Sequence, residues 1–173
     1  GTDDTASGNS AYGYQAMDAI TTGDNNTAMG FGALGANTTG SPNVAVGRAA
    51  LAANTTAANN VAVGDRALTT NTTGYSNTAL GDRALTANTT AHSNTSVGAD
   101  SLAANTTGSS NTAVGLSALL ANTTGTRNIA IGANAYDASD TENDNLAIGY
   151  NAMTTNTAGG TLNVAVGNYT LDA

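Results

Sequence analysis

The sequence predicts an all-β protein, a parallel β-roll or solenoid of 17-residue coils, and three observations carry that expectation. The first is a repeated motif, N-x-A-x-G-x-x-A-L-x-x-N-T-T, opened by Asn9, Asn26, Asn43, Asn60, Asn77, Asn94, Asn111, Asn128, Asn145 and Asn163. Successive openers stand 17 residues apart until the last interval, which is 18 because of one extra residue around Gly159-Gly160. A fixed short period marks a stack of like units, none of which buries its apolar face alone. The second observation is a two-residue alternation just after each Asn, the pattern of a strand. The third is turn chemistry at two fixed points of every coil, a Gly and an Asn-Thr-Thr run.

Numbering each coil from its Asn, residues 1–8 form an incomplete N-terminal coil, and 9–173 form one repeat domain of ten coils, the last truncated. Positions 2 to 4 read as the first strand. Position 4 is always large and apolar, as in Val46, Val63 and Leu80, and position 2 is Val, Ile, Leu, Thr or Ser. Position 3, on the opposite face, is Ala except for Ser96. Position 5 is Gly in every coil, Gly47, Gly64 and Gly81 among them, which fits a bend that needs positive φ or close backbone approach. Ala at 8 and Leu at 9 (Leu51, Leu68, Leu85) read as a second short strand. The Asn-Thr-Thr run then closes the coil, since Asn tolerates the left-handed conformation and bonds its own backbone. Stacking at about 4.8 Å per coil gives a rod on the order of 45 Å long, with amide ladders where Asn lies over Asn. The chain begins at Gly1 without Met and ends at Ala173 within a coil, as expected of a piece of a longer protein.

Composition narrows the function. Charged residues are only 9%, with no Cys, Lys or Trp, so a disulfide scaffold is excluded and ordinary enzyme composition is absent. Low charge together with strict periodicity argues against disorder. The net charge of −8 repels nucleic acid and anionic lipid, and no stretch approaches a membrane span. Neither a cofactor nor a catalytic group is expected. His92 stands alone, with no nucleophile or acid repeated beside it.

The apolar side chains of one coil are too few to carry a free-standing rod. Positions 2, 3 and 4 never bear a charge, so both faces of the first strand read as shielded. One face fills the roll and the other meets a neighbouring chain, which implies a homo-oligomer. Charge gathers instead just past the glycine bend, where Arg48, Asp65, Arg66, Asp82, Arg83 and Asp100 fall in adjacent columns of consecutive coils. Stacking puts Arg48 one strand spacing from Asp65, and Arg83 the same distance from Asp100, as an exposed neutralised ladder of marginal energy or a clamp between subunits. The eighth coil breaks the pattern with Asp137, Asp140, Glu142 and Asp144. Four carboxylates in so short a run are a candidate Ca²⁺ loop, but the glycine and alternate-ligand spacing of a calcium loop are missing, so a solvated acidic loop is the preferred reading. Asn-Thr-Thr at Asn37, Asn54, Asn71, Asn88, Asn105 and Asn122 formally offers glycosylation acceptors, though repeated corner chemistry explains it more simply. Tyr12, Tyr14, Phe31, Tyr75, Tyr136, Tyr150 and Tyr169 are candidates for glycan contact or for capping the core.

Asn43-Val44-Ala45-Val46-Gly47, Asn128-Ile129-Ala130-Ile131-Gly132 and Asn163-Val164-Ala165-Val166-Gly167 resemble the N-S-V-A-I-G signature of YadA-like head repeats of trimeric autotransporter adhesins, which recur in bacteriophage tail fibres. The resemblance spans the chain from Asn9 onward. It implies a left-handed roll, three chains about one axis, and an adhesive role at a bacterial cell surface or virion tip. This chain departs from the family's pattern in its long A-L-x-x-N-T-T-G arm and in Thr or Ser at half of its position-2 sites. The expected function is a structural and adhesive fibre segment that presents Asn/Thr-rich ladders to a surface receptor, protein or glycan, without membrane contact by this segment. The alternative is an ice-binding solenoid.

Overall fold

The structure is a computed structural model and describes residues 6–138, 140–154 and 160–172. Its ten strands are β1 (Ser10–Tyr12), β2 (Thr27–Met29), β3 (Asn43–Val46), β4 (Asn60–Val63), β5 (Thr78–Leu80), β6 (Thr95–Val97), β7 (Thr112–Val114), β8 (Ile129–Ile131), β9 (Leu146–Ile148) and β10 (Val164–Val166). They form one sheet in sequence order, every neighbouring pair parallel. Pairing joins like positions, Val61 to Thr78, Ala62 to Ala79 and Val63 to Leu80. The sequence period is therefore the solenoid repeat, and the expected first strand lies at the expected residues. Of the Gly159-Gly160 pair around which the extra residue is expected, Gly159 lies outside the described residues.

The small face of the strand points inward. Ala62 and Ala79 at position 3 are fully buried, whereas Val63 and Leu80 at position 4 are each 37% exposed on the outer face. Leu51, Leu68 and Leu85 at position 9, with the Ala of position 8, complete a core one Leu deep per coil. The inward position is small in every coil, Ala or, once, Ser96, which suits close approach of the strand to the Leu column across a thin roll.

Among the described residues the second predicted strand is absent; the structure corrects that expectation. Residues at positions 7 and 9 have left-handed backbones, as in Arg66 (φ 54°) and Leu68 (φ 52°). Such residues cannot continue a β-strand. The segment instead folds into successive tight turns, Ala67 N–H donating to the Gly64 carbonyl and Asn71 N–H to the Leu68 carbonyl. Between these turns the backbone still bonds to adjacent coils, Arg66 N–H to Arg48 and Leu68 N–H to Ala84. Backbone donors are thereby satisfied without a second sheet.

Two buried amide ladders close the roll. At position 1, the Asn60 and Asn77 N–H groups donate to Oδ1 of Asn43 and Asn60 at 3.0 and 2.9 Å. At position 12, Asn71 Nδ2 donates to Asn54 Oδ1 at 3.1 Å. Both columns also donate to the coil's own position-15 carbonyl, Asn60 and Asn71 each reaching Gly74 at 2.9 Å. One carbonyl thus ties the beginning of a coil to its closing corner, which is why Asn recurs at both places.

Candidate functional site

The outer strand face is a regular surface that runs the length of the sheet. Columns 2 and 4 run along all ten strands without a charged residue, and Met29, Val63, Leu80, Ile129, Ile131, Val164 and Val166 are all exposed there. Ten strands at about 4.8 Å make this face about 45 Å long, and two columns make it about 10 Å wide. The strip covers on the order of 450 Å² and mixes aliphatic side chains with Thr or Ser at half of its column-2 sites. A shallow depression of about 220 Å³ at one edge is lined by Pro42, Asn43, Val44, Asn59, Asn60 and Val61.

Past the glycine bend, the charge ladder forms as the spacing predicts. Arg48 reaches Asp65 across one coil at 2.8 Å, and Arg83 reaches Asp100 at 2.8 Å. Arg66 and Arg83 also pair within their own coils, with Asp65 at 3.2 Å and Asp82 at 3.5 Å. Partial desolvation works against ionisation of Asp65, but hydrogen bonds from Arg66 and Arg48 hold its carboxyl below the ordinary value. A further pair escaped the sequence reading: Arg127 binds Asp144 with Nε at 2.6 Å and Nη2 at 2.8 Å. The Arg127 hydrogen bond holds the Asp144 carboxyl below its usual range. Both residues occupy position 17 of consecutive coils, so lining up that column reveals the pair.

The acidic loop does not gather its carboxylates. Asp144 is committed to Arg127, and Glu142 is buried, its Oε2 accepting the N–H groups of Asp140 and Thr141. In coils such as the fourth, the equivalent N–H groups bond a carbonyl of the next coil, Thr72 and Thr73 both reaching Thr89. Glu142 supplies that acceptor from within its own coil. Among the described residues no three acidic or His side chains converge as a metal site. Tyr136 replaces the core Leu of this coil, fully buried with its hydroxyl accepting from Asn145 Nδ2 at 2.6 Å. Asp137 is half-buried, and that burial, with the nearby charge of Asp172, raises its carboxyl above the ordinary value despite backbone hydrogen bonds. A raised folded-state pKa means that ionised Asp137 opposes folding at neutral pH, and that the opposition vanishes once both states are protonated, below about pH 4. Asp137→Asn is therefore expected to raise Tm at pH 7 and to have no such effect at pH 3. An unchanged Tm at pH 7 would contradict the burial.

Threonine splits into two columns. Position-13 hydroxyls are used internally, as when Thr72 Oγ1 donates to the Thr89 carbonyl at 3.1 Å. Position-14 residues Thr22, Thr39, Thr56, Thr73, Thr90, Thr107, Thr124 and Thr141 are all exposed, with no hydroxyl partner among the described residues. The Asn preceding each pair, from Asn37 to Asn122, is fully buried, so the formal glycosylation acceptors are hidden in the ladder. Aromatic side chains stack between coils: Tyr14 on Phe31 at 5.6 Å, Tyr75 on His92 at 4.8 Å, and Tyr150 edge-on to Tyr169 at 5.4 Å.

All four tryptic sites, Arg48, Arg66, Arg83 and Arg127, sit in stacked coils, so cleavage requires local opening. The native rod is expected to survive long trypsin exposure, and heat-denatured chain to be cut. Rapid cutting of native material after Arg66 or Arg83 would mean that these turns are loose loops.

Fold and surface together define a repeat-built parallel β-solenoid with an uncharged strand face, an exposed ion-pair ladder and a free Thr column. Comparison with known protein families, curated proteins and solved structures finds no match to this chain.

Proposed function

We propose that this chain is a segment of an adhesive fibre at a bacterial surface or virion tip, acting outside the cell and without catalysis. In this reading three copies form a left-handed roll packed through their outer strand faces, as in the heads of trimeric adhesins. The observation that carries it is the outer strand face, free of charge over ten strands and apolar along the whole of column 4 in an otherwise polar protein. Position 2 alternates between blocks of Thr and blocks of Val, Ile or Leu along the rod. Parallel in-register copies would set hydroxyl against hydroxyl and methyl against methyl, whereas antiparallel copies would mismatch most coils. Outside the interface, repeated Asn/Thr ladders would make many weak contacts, and three linked copies would gain retention by multiplicity. The net negative charge supports a partner other than nucleic acid.

Retention on immobilised polysaccharide and protein surfaces tests this reading. Assembled segment should be held at least about tenfold longer than a monomeric variant, the scale that avidity gives to weak sites. Assembled material that washes from every surface as fast as monomer would contradict it. The position-14 Thr column favours a second reading, ordering of water at an ice surface. Thermal hysteresis in dilute solution would establish that reading, and its absence would remove it.

A further inference from the structure

One outward column breaks the repeat in the middle of the rod. Position 16 carries Asp24, Ser41, Ala58, Ser109, Thr126 and Asn143, but two adjacent coils in the middle carry Tyr75 and His92. Their rings stack with centroids 4.8 Å apart and planes 12° from parallel. That spacing matches one coil, so the stack runs along the rod, and His92 covers one face of Tyr75. The other face looks toward the preceding coil, whose position-16 residue is Ala58, only a methyl group. Tyr75 is 49% exposed. A flat apolar ring stacked at about 4 Å would fill the step that Ala58 leaves.

The rim of that step is polar and uncommitted. Asn59 and Ser76, the position-17 residues of the two coils, are exposed, as are Thr56 and Thr73 at position 14. None of these four side chains has a partner among the described residues. The Asn59 backbone is left-handed, at φ 60°, and the residue also borders the 220 Å³ depression beside Pro42 and Val44. No charged residue lies at positions 13–17 of the coils that carry Ala58, Tyr75 and His92. A ligand suited to this surface would offer an apolar face for the ring, hydroxyls for amide and hydroxyl partners, and no charge.

We propose that Tyr75 is the platform of a neutral saccharide site, a pyranose ring stacking on its free face while Asn59, Ser76, Thr56 and Thr73 bond the sugar hydroxyls. The site rests on the adhesive reading and gives its receptor a chemical class. In a homotrimer it recurs three times around the rod, and the buried position-1 Asn column separates it from the strand face, which it approaches only where Asn59 shares the depression with Val44 and Val61.

The test uses saturation-transfer NMR of the assembled segment with soluble cello-, malto-, xylo-, chito- and galacto-oligosaccharides. At least one is expected to bind in the millimolar range, to shift the Tyr75 ring protons, and to bind equally at low and high salt. Tyr75→Ala should weaken it at least tenfold, Tyr75→Phe should retain it, and Tyr169→Ala, an exposed ring elsewhere, should leave it unchanged. Transfer to none of the five series, or a Tyr75→Ala variant that binds like wild type, would overturn the site. The surface assay separates the two readings. Wild type and Tyr75→Ala retained equally on a surface would overturn the platform and keep adhesion, whereas wild type retained nowhere would remove adhesion itself.

Discussion

Gly64→Val is expected to prevent folding of the central coils. The Gly64 backbone has φ 138°, a conformation that β-branched residues do not adopt, and a Cβ there would lie 2.3 Å from the Gly81 carbonyl oxygen. The obstacle is backbone of the next coil, so it cannot step aside without breaking the ladder. Because each coil touches only its neighbours, one blocked interface splits the stack in two. A loss of several kcal/mol, beyond the usual range for a point substitution, is expected, visible as a lost or broadened thermal transition. Gly32→Ala is the matched control. Gly32 also has positive φ, but nothing lies within 4 Å of its would-be Cβ, and Ala49 occupies the equivalent position one coil on. A Gly64→Val melt like that of Gly32→Ala would mean that the bend is not where the coils meet.

The second large effect separates folding from assembly within two adjacent residues. Ala79 is fully buried and Leu80 is 37% exposed on the outer face. Ala79→Glu places a charge without a partner in a core one side chain deep, and the chain should not fold at all. Leu80→Glu puts its carboxylate on the outer face, where it blocks a packed copy but enters no core. The buried Asn ladders and coil-to-coil backbone bonds, which the apolar count of the sequence leaves out, then hold the single chain together. The expected pair of results is an unfolded Ala79→Glu and a folded, monomeric Leu80→Glu, read by circular dichroism and light scattering. A folded Ala79→Glu would reverse the assignment of the faces. A Leu80→Glu that assembles like wild type would free the strand face of the role proposed for it.

Much of this was legible in the residues. The period of Asn43, Asn60 and Asn77 is the coil repeat, the invariant glycine marks the bend, and Arg48 meets Asp65 because columns stack. What was hidden has physical causes. Alternation says that Ala79 and Leu80 face opposite ways, yet it does not say which way is in. Hydrophobicity alone favours the larger residue inside, whereas close approach to the Leu85 column suits the smaller. Leu68 looked like a strand residue because apolarity was read without backbone preference. The stretch Arg66-Ala67-Leu68 has no β-branched side chain, and its alternating left-handed residues make turns. Glu142 was read among solvated carboxylates because its inward turn depends on N–H groups that a sequence does not display.

The central claim, that the outer strand face is a contact between copies, is tested most directly by the mass of the intact segment in solution. One chain is 16.8 kDa. Multi-angle light scattering on size-separated protein should give three times that, about 50 kDa, with the value held on dilution to low micromolar concentration. A mass of one chain across that range, with the solenoid intact by circular dichroism, would contradict the account.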